Sequence, residues 1–93
     1  MEKITKAKLE RYFKVSKKAF LKAKKSKERV KVKGARKEIL SMVENYLKDA
    51  EFFYKKGDYV NAFAALNYLH GWLDCGARLG IFDVHDSELF VED

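Results

Sequence analysis

The feature that most constrains the fold is the segment from Gly57 to Gly80, GDYVNAFAALNYLHGWLDCGARLG. Gly57 is placed to end one helix in the left-handed conformation, and the Asp58 carboxylate to cap the next. Between the two glycines, one apolar face comprises Tyr59, Ala62, Leu66, Leu69, Leu73 and Ala77, and a second comprises Ala65, Tyr68, Trp72, Cys75 and Leu79. A helix that is apolar over most of its circumference is normally buried on more than one side. We therefore predict that this helix lies at the centre of the fold.

Two further segments carry an apolar stripe with helical spacing. In the second helix, about 35–56, the stripe is Ile39, Val43, Tyr46, Ala50 and Phe53. In the first helix, about 2–25, it is Leu9, Tyr12, Phe13, Ser16, Ala19, Phe20 and Ala23. The turn at 56–58 is too short for anything but an antiparallel hairpin, and the first helix has the stripe to cover the open side of that hairpin. The sequence thus predicts an all-α fold, an antiparallel three-helix bundle.

The predicted single domain, residues 1–93, also contains two segments without a clear helical pattern. A basic connection at 26–34 alternates valine with lysine, and we expect it to be mobile and briefly extended; a frayed extension of the first helix is the alternative. The third helix covers about 58–79, and a tail follows at 80–93. The tail carries apolar and acidic side chains: Ile81, Phe82, Val84, Leu89, Phe90, Val91, Asp83, Asp86, Glu88, Glu92 and Asp93. We expect its first part to fold back over the bundle, with a short helical turn near Ser87.

Charge divides the chain into a basic front and an acidic back. Residues 1–37 hold 16 of the 20 Lys and Arg against three Glu, a net of +13, whereas residues 38–93 have a net of −7. The candidate face for an anion or a nucleic acid is Lys14, Lys17, Lys18, Lys22, Lys24, Lys25, Lys31 and Lys33. A solvated lysine-rich face is the alternative interpretation. We also expect the acidic tail to lie near the C-terminal end of helix 1, beside Lys22, Lys24 and Lys25.

The sequence gives no indication of several classes of protein and site. No apolar run approaches the ~18 residues that a membrane span needs, and no signal-peptide segment follows the N-terminus. A single cysteine cannot form an internal disulfide, and the apolar neighbours of Cys75 indicate a buried, inert thiol. The spacing of His70, Cys75 and His85 matches no metal-ligand motif, so we expect no metal and no cofactor. We expect a cytoplasmic protein.

A strip of polar side chains interrupts the apolar third helix at spacings of three, four and four residues: Asn67, His70, Asp74 and Arg78. In a functional interpretation, Asp74 orients His70 as a proton carrier and Arg78 holds an anion. In a structural interpretation, the strip fixes the register of the bundle through ion pairs. No nucleophile or phosphate-binding loop accompanies the strip, so we expect a protein that is not an enzyme.

Two glycines lie inside the same helix. Gly71 and Gly76 each weaken it by about 1 kcal/mol relative to alanine. The physical reason for glycine at these positions is the close approach of another backbone or of a bulky ring. We therefore predict such a neighbour at both positions, and contact with a ligand is the alternative.

Residues 46–82 resemble a small archaeal family, domain of unknown function 357. The recurring elements are Tyr46, Asp49 and Ala50; then Gly57, Asp58, Ala62 and Phe63; then the run from His70 to Gly80. Cys75 stands where the resemblance leads us to expect a small residue such as alanine. The resemblance implies a three-helix fold similar to spectrin-like or albumin-binding bundles, in an archaeal cytoplasm. It implies no activity, because none is assigned to the family.

Two other resemblances offer alternatives. The hairpin is similar to one tetratricopeptide helix pair, but the chain holds a single copy and solenoids need about three. The helical nuclease and nucleotide-binding domains called HEPN carry an Arg-x4-6-His motif that Arg78 and His85 could supply, with Asp74 beside them. We expect a small binding or adaptor module whose partner is a protein or RNA, held by the lysines of helix 1. A HEPN-like nuclease or nucleotide-binding protein is the alternative.

Overall fold

The computed structural model describes residues 3–90, which form three helices: α1 (Lys6–Lys25), α2 (Ala35–Lys55) and α3 (Tyr59–Arg78). Within that range there is no β-strand. The helix α1 begins at Lys6 rather than near residue 2, because the Thr5 hydroxyl accepts the Lys8 N–H at 3.1 Å and caps the helix. The predictions for Glu2 and for residues 91–93 lie outside the described residues. The predicted all-α three-helix bundle is confirmed.

The helix α3 holds the bundle together, as predicted. Leu66, Leu69 and Leu73 have no exposed surface, and α3 packs closely along both other helices. The order of contacts shows that α1 is parallel to α3, since Tyr12 meets Phe63 edge to face at 4.9 Å and residues further along each helix meet in turn. The hairpin at Gly57, with φ of 78°, makes α2 antiparallel to both.

The helices α1 and α2 touch mainly through long side chains. The Tyr54 hydroxyl donates to Glu10 Oε1 at 2.8 Å, and Phe13 packs edge to face on Tyr54 at 5.4 Å. Lys17 and Glu51 form an exposed ion pair at 3.5 Å. The hydrogen bond to Glu10 raises the pKa of Tyr54 to about 12. These contacts leave an open groove between the helices, and it is α3 that supplies most of the buried surface.

The prediction that the second apolar face of α3 is buried is wrong for four of its five residues. Tyr68 is 62% exposed, Leu79 58% and Trp72 37%, and Cys75 is also exposed. Only Ala65 is buried. The reason is geometric: α1 and α2 cover one side of α3, and residues 3–90 contain no fourth helix to cover the other. The burial predicted for the Cys75 thiol is wrong for the same reason.

The tail folds back as predicted and is joined to the connection by main-chain hydrogen bonds. The N–H groups of Arg29 and Val30 donate to the Gly80 carbonyl at 2.8 and 2.9 Å, and Asp83 N–H donates to the Lys27 carbonyl at 2.8 Å. The side chains of Ile81, Phe82, Val84 and Phe90 are buried. A single turn closes where the N–H groups of residues 89 and 90 meet the carbonyl of residue 86. The connection is thus attached to the tail rather than unsupported.

A side chain from α2 caps the C-terminal end of α1. The Arg36 guanidinium donates to the Ala23 and Lys24 carbonyls at 3.0 and 2.9 Å, and to Ser26 Oγ at 3.3 Å. Its Cζ atom lies over the Phe82 ring, 5.4 Å from the ring centre. The last carbonyls of a helix have no partner within it, so a planar, multiply donating group there satisfies them and ties three segments together. Nothing in the spacing of the sequence indicated this role for Arg36.

The two glycines within α3 have different surroundings. A Cβ at Gly76 would lie 2.5 Å from Cε2 and 2.6 Å from Cδ2 of Phe82, so the predicted bulky ring is present there. Outside its own stretch of helix backbone, a Cβ at Gly71 would meet no atom of residues 3–90 within 4 Å. The prediction of a close neighbour is therefore confirmed at Gly76 and wrong at Gly71.

Candidate functional site

The predicted lysine face follows α1 and continues into the connection. At about 100° per residue, Lys14, Lys18, Lys22 and Lys25 fall within one exposed arc of α1 that extends roughly 16 Å along the axis. Lys31 and Lys33 are exposed in the segment that leaves the end of this helix. We call these six residues, together with Lys17 and Lys24, the lysine face.

Three members of the lysine face have partners in the structure. Lys22 Nζ lies 2.9 Å from Asp86 Oδ2, which places the acidic tail beside the end of α1 as predicted. Lys17 pairs with Glu51, and Lys24 lies over the Phe20 ring at 5.2 Å. The hydrogen bond from Lys22 lowers the pKa of Asp86. For the remaining members, no acidic partner lies within ion-pairing distance among residues 3–90: Lys14, Lys18, Lys25, Lys31 and Lys33.

The aromatic rings of α1 pack into the bundle. Phe20 is buried, and Tyr12 and Phe13 are half-buried against α3 and α2. Base stacking needs a ring whose face is open to the ligand. The lysine face of α1 therefore exposes ammonium groups, which attract phosphates without recognising individual bases.

The polar strip of α3 is joined to α1 by a buried serine that the sequence interpretation assigned to the apolar stripe. The Ser16 hydroxyl donates to the Tyr12 carbonyl at 2.7 Å, and Ser16 Oγ lies 2.8 Å from His70 Nε2. Since the serine proton is directed to Tyr12, His70 Nε2 carries the proton of the second hydrogen bond. Ser16 has no exposed surface, so no substrate can reach its oxygen. The contact joins two helices and provides no nucleophile.

His70 is half-buried at this contact. Burial lowers the pKa of the His70 imidazole, and the nearby Asp74 carboxylate opposes that effect. Because the folded state favours neutral His70, the unfolded chain takes up the proton first as the pH falls below the ordinary value of 6.5. Above pH 6.5 neutral His70 therefore makes its full contribution to stability. As the pH falls from 6.5 towards the lowered pKa, the free energy of unfolding decreases and this contribution is lost.

We expect His70→Gln to remove this part of the pH dependence. The free energy of unfolding of the wild-type chain should decrease as the pH falls from about 7 to about 5, a range in which ordinary carboxylates stay mostly ionised. The variant keeps an N–H donor for Ser16 but cannot titrate, so its stability should change less over that range. Urea unfolding at several pH values measures the difference, and His85→Gln is the matched control. Equal slopes for wild type and His70→Gln would contradict the prediction.

Three of the four strip residues border the surface between α1, α3 and the tail. Asn67, His70 and Asp74 line an open groove of about 390 Å³ together with Arg11, Tyr12 and Val15. An adjoining groove, which also contains His70 and Asp74, extends to the tail residues 87–90. Arg78 lines neither groove and is exposed, whereas Arg11 brings a guanidinium that the sequence interpretation missed. Arg11 could have been found by pairing the apolar stripes of α1 and α3. The spacing of polar residues along α3 alone could not indicate it, because Arg11 lies on α1.

Arg78 and His85, the two residues that could supply the HEPN motif, are not joined by any contact within residues 3–90. His85 Nε2 lies 2.8 Å from Asp83 Oδ1 in the exposed tail, and Arg78 is exposed at the end of α3. In the same part of the chain, no group of three or more His, Cys, Asp and Glu is arranged to hold a metal ion. None of the described helices has an apolar stretch long enough to cross a membrane.

Comparison with known proteins gives one match. A family model described as protein of unknown function (DUF357) matches residues 11–82, which include most of α1, all of α2 and α3, and the start of the tail. No curated protein and no solved structure is significantly similar to the chain. The matched range extends the resemblance seen at 46–82 towards the N-terminus and ends at Phe82, the ring that packs on Gly76.

Proposed function

Because the chain belongs to the family described as protein of unknown function, DUF357, its function has to be inferred from its own surface, and we propose that it is an RNA-binding module that uses the lysine face. The observation that carries the proposal is that Lys14, Lys18 and Lys25 lie on the exposed arc of α1 and form no ion pair with any of residues 3–90. Like charges three or four residues apart destabilise a helix. A polyanion along this arc relieves that repulsion.

The proposed binding does not depend on base sequence. Lysine ammonium groups act as point charges, without the planar donor pattern by which arginine selects a base or a bidentate phosphate contact. The rings of α1 are turned into the bundle, so they cannot stack on bases. Lys31 and Lys33 extend the charge beyond the end of α1. The chemistry favours a single-stranded RNA backbone that follows the helix and then the connection.

The proposal assigns binding and no catalysis. The hydroxyl nearest to the half-buried histidine is that of Ser16, which is fully buried and donates to a main-chain carbonyl. A nucleophile must reach the reacting atom, and this one cannot. Incubation of the RNA with the protein, followed by denaturing electrophoresis, separates the proposal from the HEPN-like alternative, since only a nuclease shortens the RNA.

We expect the chain to bind fluorescein-labelled single-stranded RNA with an affinity that falls steeply as salt increases. Each neutralised phosphate of a single strand contributes about −0.7 to the slope of log K against log salt. Charge reversal of Lys14, Lys18 and Lys25 should make that slope about 2 less steep if each lysine contacts one phosphate. Lys22 is left unchanged in this variant because its ion pair with Asp86 supports the tail.

The matched control reverses Lys48, Lys55 and Lys56 of the α2 C-terminal region, which alters net charge equally and changes no member of the lysine face. This control should retain most of the salt slope. Circular dichroism establishes that both variants are folded. An affinity that does not change between low and moderate salt, or an equal loss in both variants, would overturn the proposal.

A further inference from the structure

We propose that the tail is autoinhibitory: Asp86 holds Lys22 of the lysine face in an ion pair and thereby lowers the affinity of that face for RNA. Lys22 Nζ lies 2.9 Å from Asp86 Oδ2, which is hydrogen-bond distance. Lys22 falls between Lys18 and Lys25 on the exposed arc of α1, so the occupied ammonium group lies within the row and not at its end. This inference rests on the proposed function, because it concerns the ligand of the same face.

The carboxylate of Asp86 is positioned by the turn in which it lies. Its Oδ1 accepts the Glu88 N–H at 3.0 Å, and its main-chain carbonyl accepts the Phe90 N–H at 2.9 Å. The other carboxylate oxygen, Oδ2, is directed at Lys22. The buried side chains of Val84 and Phe90 attach the tail to the bundle on both sides of this turn. The carboxylate is therefore held near Lys22 at the high effective concentration of an intramolecular contact.

A carboxylate and a phosphate compete for the same ammonium group, because both accept charge-assisted hydrogen bonds from lysine. Both side chains of the Lys22–Asp86 pair keep contact with solvent. Exposed ion pairs are weak, and one of them changes an equilibrium by about fivefold at most. A strand that is already attracted by Lys14, Lys18 and Lys25 can therefore displace Asp86. The tail thus moderates the affinity of the lysine face and does not abolish binding.

We expect Asp86→Asn to raise the affinity for fluorescein-labelled single-stranded RNA by about two- to fivefold at low salt, as measured by fluorescence anisotropy. The amide keeps an oxygen that can accept the Glu88 N–H, so the turn should be retained. It has no charge to neutralise Lys22, so the competition with phosphate should be lost. The gain in affinity should shrink as salt increases, because exposed ion pairs are screened. Circular dichroism establishes that the variant is folded.

Glu88→Gln is the matched control. It removes one negative charge from the same turn, and Glu88 forms no ion pair with any of residues 3–90. The affinity of this variant for RNA should rise less than that of Asp86→Asn, because only the long-range effect of net charge changes.

A double-mutant cycle with Lys22→Gln tests the assigned cause. In the Lys22→Gln background Asp86 has no ammonium group to hold at that position, so Asp86→Asn should add no more affinity than Glu88→Gln adds. A gain from Asp86→Asn that persists in this background overturns the inference, and so do equal gains from Asp86→Asn and Glu88→Gln in the wild-type background. In both cases, wild-type binding that weakens with salt still supports the proposed function. Absence of salt-dependent binding in both the wild-type chain and Asp86→Asn overturns the inference together with the proposed function.

Discussion

Leu66→Ala and Leu69→Ala are each expected to lower the free energy of unfolding by about 2–5 kcal/mol. Both side chains have no exposed surface and lie on the face of α3 that the other two helices cover. Removing them loses the transfer free energy of the deleted atoms and leaves a cavity that a close-packed interior fills only in part. A domain of this size is stable by about 5–15 kcal/mol, so either change is a large fraction of the total.

Leu21→Ala is the matched control for these two changes. Leu21 is half exposed on α1, and its truncation should alter stability by no more than about 0.5 kcal/mol. Urea unfolding followed by far-ultraviolet circular dichroism measures all three variants. An unchanged midpoint for Leu66→Ala or Leu69→Ala would show that the centre of the bundle lies elsewhere.

The second large effect is expected at the contact between α3 and the tail, where Gly76→Ala should destabilise the protein by about 1–3 kcal/mol. The added methyl group would lie 2.5 Å from the Phe82 ring, well inside van der Waals contact. Phe82 is fully buried and lies against the Arg36 guanidinium, so the ring cannot move without disturbing the end of α1. Overpacking therefore exceeds the gain of about 1 kcal/mol in helix propensity that alanine brings.

Gly71→Ala is the control. The same substitution in the same helix should raise stability by up to about 1 kcal/mol, because no side chain among residues 3–90 lies within 4 Å of the added methyl group. A double-mutant cycle with Phe82→Leu tests the assigned cause. The smaller side chain should recover part of the loss in the Gly76→Ala background, whereas additive effects would show that the methyl group and the ring do not meet.

The sequence was sufficient to predict the three helices and their arrangement around α3. The stripe at Ile39, Val43 and Ala50 is buried, and Asp58 caps α3 by accepting the Asn61 N–H at 3.2 Å. Apolar periodicity and capping are local patterns, so they can be recognised in one chain. The ion pair between Lys22 and Asp86 also followed, because parallel α1 and α3 bring the tail to the end of α1.

What the sequence could not provide depends on contacts between distant segments. Apolar composition marked Tyr68, Trp72 and Cys75 as buried, but burial is decided by how many helices are available to cover a face. Ser16 was assigned to an apolar stripe, and its pairing with His70 appears only when α1 and α3 are placed together. Arg36 could not be identified as the group that caps the C-terminal end of α1, since the carbonyls to which it donates lie 12 and 13 residues away along the chain.

The attachment of the tail to the connection has a consequence for the order in which the chain folds. During synthesis α1 leaves the ribosome before its partners in α3 and residues 80–83 of the tail have been made. The α2–α3 hairpin closes a short loop and can form quickly, while the contact between Arg29 and Gly80 closes a loop of about fifty residues. We therefore expect the hairpin to assemble first and α1, with its repelling lysines, to dock in the final step. Until then its apolar stripe is open to chaperones.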